Sequence, residues 1–513
     1  MKSRIITSVI ACLFIGGSLH AQTWKAKAIS DLNKGEFAKV EQTISKLSEA
    51  EKGKHAWLID SLQAMMTRIR DDFRLSREEG KKLLLEKVPG ATDKQIEAWK
   101  QKKYLETRII DGEERWFRKT ISNFTLLNRE LFTAEMIKDK KKEYAKLHTQ
   151  CENILSQPVG VNHTCDWKKV NASFFIEVPA DAVPAGEVIK AWLPYPFDNG
   201  RQRNFQLLST SSPATHSDGS LHHTVYMEQK AVKGQPTRFE MKFSYEVGAQ
   251  VFPQEEILKN LKPYDKQSDL YQKYTVQELP HMLVNKQMKA LAQKIVGGET
   301  NPVLQASMIY DWISANYPWA GAIDYSTIPC MPQYVLDIHH GDCGQVTLLY
   351  ISMLRSLGIP ARWESGWVFD ETGWTGYHDW GEIYFEGTGW VPTDVSAGRD
   401  TYGERYSDFF KTSTDALRLA SNEGIGGELS PKKQYIRRET VDFQAGEVEW
   451  KGGNLTKWKS DLVIDKISTE ADEMKALLAA IKKQYAPDSR VAIYELEAKK
   501  ADQQWIIKGK VDK

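Results

Sequence analysis

Along the first third of the chain, apolar residues return every three or four positions. Phe37, Val40, Ile44 and Leu47 make one stripe; Trp57, Leu58, Leu62, Met65 and Ile69 make another. That spacing places apolar side chains on one face of a helix, and it predicts a helical N-terminal region over 22–160. An inset interrupts it. A helical run from Thr92 to Leu105 is followed by two short strand-like runs, Thr107–Ile110 and Arg115–Arg118, around Asp111–Gly112, a strong hairpin signal. A helix with a hairpin also outlines a winged DNA binder; in this chain the inset is read as packing. Over 166–252 the period changes to two. Ser173–Val178, Glu187–Trp192 and Arg238–Phe243 alternate as strands, predicting a β-sandwich-like domain. Over 279–420 helices precede strands, an α+β order. The stretch 428–513 mixes strand-like and helical pieces, including Asp472–Tyr485, and is expected to form a mixed C-terminal tail domain. The fold class is multi-domain, with an α+β core behind a sandwich and a helical region.

The first 21 residues change the picture of where the protein works. Met1–Arg4 is basic, Ile5–Leu19 is mostly apolar and small, and Ala21 offers a cleavage point. This reads as a secretory signal peptide over 1–21. The apolar run is shorter than the ~20 residues that span a bilayer. A secreted or periplasmic protein is expected, with no transmembrane segment after cleavage. Composition adds exclusions. Of 513 residues, 41% are hydrophobic and 27% charged, which excludes disorder along the whole chain. Lys plus Arg is 69 against 68 for Asp plus Glu, which gives no electrostatic reason to expect a nucleic-acid partner. Signal cleavage removes Cys12 and leaves Cys151, Cys165, Cys330 and Cys343. The spacing of His148, Cys151, His163 and Cys165 fits no common zinc pattern well. In an oxidising compartment a Cys151–Cys165 disulfide is the simpler use. Cys330 is expected to be a buried thiol, since a bridge to Cys343 would block that sulfur.

Candidate chemistry concentrates between Gly341 and Gly398. Asp342 is a good N-cap, Gly358 a good C′ residue, and Pro360 blocks continuation, so a helix is expected from Cys343 to Leu357. Cys343 then lies on the first turn, where unpaired N–H groups and the macrodipole favour a thiolate. The rest of that helix is apolar nearly all round, so it should be buried and hold the sulfur rigidly. A strand at Ala361–Val368 follows, then Tyr377–Phe385, a turn at Glu386–Gly389, and a return strand at Trp390–Val395. A return centred on Glu386 brings His378 near Asp394. A carboxylate beside an imidazole fixes its tautomer and stabilises its charged form. Cys343, His378 and Asp394 are therefore the candidate nucleophile, base and orienter. No cofactor and no metal is expected at this site. Among nearby aromatics, Trp374 is the candidate cleft wall.

Gly341–Asp342–Cys343–Gly344, Leu357–Gly358–Ile359–Pro360–Ala361–Arg362, the strand at His378, and Gly389–Trp390–Val391–Pro392–Thr393–Asp394 resemble the bacterial transglutaminase-like superfamily. The resemblance implies a papain-like core with a Cys-His-Asp triad at Cys343, His378 and Asp394, preceded by a β-sandwich. It implies thioester chemistry on amide bonds, with water as acceptor (a protease, peptidase or deamidase) slightly favoured over an amine (a transglutaminase). Peptides, proteins or cell-wall peptides are the expected substrates, and the oligomeric state is open. A secreted peptide- or glycan-binding protein that uses the core as a scaffold is the alternative. The residue after the catalytic His is often Ala in the family and is Asp379 in this chain. The family's second oxyanion donor cannot be placed; Trp319, Tyr325 and Tyr334 are candidates.

Overall fold

The computed structural model describes residues 24–218, 221–397, 408–485, 492–501 and 504–512. The expected signal peptide lies outside them. The N-terminal region is helical, with helices at Trp24–Asn33, Phe37–Ser45 and Ala56–Asp72. On the last of these the buried stripe is Ile59, Leu62, Met66 and Ile69. Trp57, expected on that face, is exposed; the observed stripe keeps a more even helical step. The inset forms the expected hairpin, with Ile110 opposite Glu113. Asp111 and Gly112 take φ of 51° and 86°, the left-handed pair that a two-residue type I′ turn requires. Trp116 and Phe117 at its base are fully buried.

The sandwich consists of two antiparallel sheets. Strands β1 (Thr164–Val178), β2 (Val188–Pro194), β3 (Gln202–Thr210), β4 (Ala214–Asp218), β5 (His223–Lys230) and β6 (Thr237–Val251) come from one stretch of chain. The α+β core follows with helices α1 (Lys286–Val296), α2 (Pro302–Asn316), α3 (Met331–Ile338) and α4 (Cys343–Ser356). Strands β7 (Ala361–Phe369), β8 (Thr375–Phe385) and β9 (Gly389–Thr393) come next. Strands β10 (Ser413–Thr414), β11 (Arg418–Glu423), β12 (Glu447–Trp450), β13 (Gly453–Asn454) and β14 (Lys459–Thr469) complete the sheets. The sandwich sheets run β10-β6-β1-β14, with β3 also paired to β6, and β13-β12-β2-β5-β4. Thus β12 and β14, from the stretch read as a tail, pair along β2 and β1. They cover edges that would otherwise present unpaired N–H and C=O groups. Beyond them, a helix at Glu470–Tyr485 reaches back to β1, with Glu473 Oε1 3.5 Å from Lys169 Nζ, and a two-stranded ribbon pairs outside these sheets.

The core sheet runs β9-β8-β7-β11, all antiparallel. Helix α4 is buried from Gly344 to Ser356, as its nearly uniform apolarity implies. One apolar core joins α4 residues such as Leu348 and Leu349 to Phe37, Leu62 and Phe117 of the helical region. A second joins Trp367 and Leu419 of the core sheet to Phe174, Met241 and Leu462 of the sandwich. A buried ion pair crosses the same boundary, with Arg201 Nη2 2.6 Å from Glu364 Oε2.

The cysteines differ from expectation. Cys151 and Cys165 are not joined as a disulfide; both are buried thiols in one apolar cluster. Cys165 Sγ is turned toward the Ile154 carbonyl at 3.9 Å, so its polar contact is with backbone. Cys330 is a half-buried thiol. Among the described residues no group of three or more His, Cys, Asp or Glu side chains is arranged to hold a metal. No described helix is long and apolar enough to cross a membrane.

Because Leu462 of β14 is buried in the sandwich core, Leu462→Ala should lower stability by about 2–5 kcal/mol. Urea unfolding followed by tryptophan fluorescence checks this; an unchanged midpoint would mean β14 is dispensable to the sandwich.

Candidate active site

The start of α4 is built from local chemistry. Asp342 caps it: its carboxylate accepts from Gln345 N at 3.1 Å, and its own N–H donates to Gln345 Oε1 at 3.1 Å. This reciprocal box fixes where the helix begins and makes Cys343 its first residue. Asp342 Oδ1 also accepts from the Tyr325 hydroxyl at 2.5 Å. Gly344 is required by close approach. A Cβ there would lie 2.2 Å from Tyr325 Oη and 2.5 Å from Asp379 Oδ2.

His378 and Asp394 come together through the hairpin β8–β9. Its register sets Gly381 opposite Thr393 and Phe385 opposite Gly389. That is one step later than a return centred on Glu386, so the two residues meet as diagonal neighbours, still within side-chain reach. His378 Nε2 lies 2.7 Å from Asp394 Oδ2. The same oxygen accepts from Arg418 Nη1 at 2.8 Å, and Oδ1 accepts from the N–H groups of Ser396 and Ala397, each at 3.1 Å. Burial alone would push the Asp394 carboxyl up, but the charges of His378 and Arg418 hold it well below the usual carboxylate range. The Tyr310 hydroxyl donates to the Asp394 carbonyl at 2.9 Å. The carboxylate is therefore fixed from both its side chain and its backbone.

Cys343, the first residue of α4, lies against β8 at Asp379. Cys343 Sγ donates to Asp379 Oδ2 at 3.5 Å. Asp379 is the residue after His378, and its carboxyl occupies the space that Gly344 leaves open. Gln444 Nε2 donates to Asp379 Oδ1 at 2.7 Å and to the His378 carbonyl at 2.9 Å. Burial, then the nearby Asp342 charge, holds the Asp379 carboxyl well above its ordinary value. His378 Nδ1 is the ring nitrogen that Asp394 leaves for other work.

The structure separates the three aromatic candidates for the oxyanion. Tyr325 stands at the start of α4. Tyr334 is turned away and donates to Glu106 of the helical region. Trp319 is largely exposed. Trp374 is also exposed, in the turn between β7 and β8. Sequence reasoning missed Arg418 and Gln444, since neither lies in a motif and each reaches the site from a distant strand or loop. It also missed that the helical region fastens the Tyr325 loop. Asn123 exchanges two 2.8 Å hydrogen bonds with the Gly321 backbone, and Asp72 accepts from Asp324 N at 2.5 Å. Their only signal was the unexplained polar character of buried helix positions.

Comparison with known proteins places these residues in context. Residues 289–395 match the family model of the transglutaminase-like superfamily. An uncharacterized protein of Haemophilus influenzae is 27% identical over 167 residues, 26% of this chain and 43% of its own length. The uncharacterized protein YebA of Bacillus subtilis is 26% identical over 139 residues, 24% of this chain and 19% of its own length. The chain thus spans less than half of each of these relatives. Among solved structures, a protein of Cytophaga hutchinsonii provisionally described as a cysteine protease aligns with a TM-score of 0.40 and 15% identity. That alignment covers 59% of this chain and 90% of the other. The periplasmic domain of TgpA from Pseudomonas aeruginosa aligns with a TM-score of 0.25 and 13% identity, covering 46% and 89%.

Asp394 has its folded value depressed, so its ionisation contributes stability above the ordinary carboxylate range. That stability is lost as pH falls below about 4. Urea midpoints of the wild type should decline over that window, and those of Asp394→Asn should decline less. Arg418→Met, which leaves the carboxylate without its guanidinium, should cost about 3–5 kcal/mol at pH 7. A variant as stable as wild type would show that the pair is not holding the charge.

Proposed function

We propose that this chain, whose residues 289–395 form a transglutaminase-like superfamily domain, is a cysteine-dependent enzyme that transfers acyl groups from amide bonds through a thioester. The observation that carries the reading is the 2.7 Å His378–Asp394 hydrogen bond, built on a fully buried carboxylate, with Cys343 on the first turn of α4 beside the same strand. Cys343 is the nucleophile, His378 the base and then the acid, and Asp394 the orienter.

The roles follow from the groups. Asp394 takes His378 Nε2, which fixes the ring and its tautomer. Nδ1 is then the nitrogen that receives the thiol proton and returns it to the leaving amine. The S–H bond breaks as its proton passes to Nδ1; the thiolate then forms the S–C bond, and the carbonyl π electrons move to oxygen. The positive end of the α4 helix, with Cys343 on its first turn, favours that oxyanion. Collapse expels the amine and leaves a thioester on Cys343. Water then releases an acid, and we favour water as acceptor over an amine. The substrates are peptides or proteins, met outside the cytoplasm if the N-terminal stretch is cleaved as a signal.

Cys343→Ala and His378→Ala should each abolish turnover of a peptide library, and Asp394→Asn should reduce it by roughly 10²–10⁴-fold. In the wild type, iodoacetamide at about pH 6 should label Cys343 ahead of the other thiols. Burial pushes Cys165 and Cys330 up, away from thiolate formation. Mass spectrometry should detect an acyl adduct on Cys343 after acid quenching. Labelling that favours Cys330, Cys165 or Cys151 would count against the assignment.

A further inference from the structure

A carboxyl, that of Asp379, stands next to His378 on β8 and lies against the Cys343 sulfur. Asp379 is buried and its Oδ2 lies 3.5 Å from Cys343 Sγ. Its other oxygen accepts the Gln444 amide N–H at 2.7 Å. An oxygen engaged by an amide donor is the carbonyl-like one, so a proton on this carboxyl belongs on Oδ2, the oxygen that faces sulfur. Gln444 cannot be turned the other way without setting its amide oxygen against the His378 carbonyl.

The groups around Asp379 are mostly acidic. Helix α4 presents Asp342 and Cys343, and the loop before α3 presents Tyr325. The loop before β12 brings Glu439 and Asp442, and His378 is the neighbour on its own strand. Burial, then Asp379 itself, holds Asp442 well above the usual range, and burial with Asp442 and Glu447 pushes Glu439 up to about 8. An ionised Asp379 beside a thiolate would set two like charges together in this buried site, which disfavours both.

We infer that Asp379 is a further catalytic residue: a neutral carboxylic acid whose Oδ2–H donates to the Cys343 thiolate. This rests on Cys343 being the nucleophile. In the resting thiol, S–H donates to Oδ2. On activation the S–H bond breaks and its proton passes to the His378 ring, forming an N–H bond. Asp379 keeps its own proton, and the hydrogen bond reverses so that O–H donates to sulfur. When the S–C bond forms, sulfur loses its charge and the bond weakens. The carboxyl therefore supports the thiolate itself.

The test reads alkylation of Cys343 by iodoacetamide in the full-length mature chain from about pH 4.5 to 8, mapped by peptide mass spectrometry. Asp379→Ala and the near-isosteric Asp379→Leu remove the donor. Each should move the midpoint of the rate profile up by about one pH unit and slow labelling at pH 5.5 about tenfold, the scale expected for one hydrogen bond to a charged group. Asp379→Asn keeps an N–H donor and cannot ionise, so its profile should stay within about twofold of wild type. Faster or unchanged labelling in the Ala and Leu variants would overturn the inference, because it would mean an anionic or purely structural Asp379. Asp379→Asn as slow as Asp379→Leu would overturn it too. Wild-type labelling that maps to another cysteine would instead bring down the reading of Cys343. Shifted profiles with no turnover on any peptide would leave the Asp379 role standing and remove the proposed activity.

Discussion

The Asp394 carboxylate is almost wholly buried, and a buried charge costs several kcal/mol unless it is paired and hydrogen-bonded. Its partners come from separate parts of the fold. His378 is on β8, Arg418 begins β11, and two backbone N–H groups come from the turn after β9. Arg418 reaches the carboxylate across the sheet, with its guanidinium over the Trp380 ring at 5.2 Å. The charge can be buried only once β9, β8, β7 and β11 are in register, so electrostatics and sheet order depend on each other. Glu364 on β7 of the same sheet repeats the device: fully buried, it is held by Arg201 and the Trp380 indole N–H. Trp380 stands between the two clusters and stacks on His378 at 5.9 Å.

Neighbouring residues on β8 meet opposite electrostatic conditions. His378 faces a carboxylate held low by positive charge, whereas the Asp379 carboxyl is held high by burial and by other acids. A strand turns successive side chains to different sides, and that geometry lets one dipeptide meet both environments.

The regions outside the core act on the site through packing. The helical region shares its apolar core with α4 and fastens the loop bearing Tyr325. The sandwich shares a second core with β7 and β11. The loop that follows β11 brings Gln444 against Asp379 and the His378 carbonyl. Tyr377 Oη on β8 lies 3.1 Å from Ser460 Oγ on β14. Stretches far from the motif thereby set the rigidity of its residues.

The sequence alone determined whatever short-range chemistry controls. The Asp342 cap and the even apolarity beyond it dictate a buried helix that starts at Cys343. Asp111–Gly112 dictates a type I′ turn, and the alternation around His378 dictates a strand with a return bearing Asp394. These features were legible because each depends on residues within a few positions of one another. Tertiary structure decided what depends on long-range pairing. It placed 447–469 in the sandwich rather than in a separate tail, because open strand edges needed partners. It kept Cys151 and Cys165 as thiols, since their directions depend on packing and not on spacing. It delivered Arg418 to Asp394 and Gln444 to Asp379. It also turned the Cys343 sulfur toward Asp379, because Gly344 leaves room for that carboxyl, a steric fact that appears only when the helix and β8 meet.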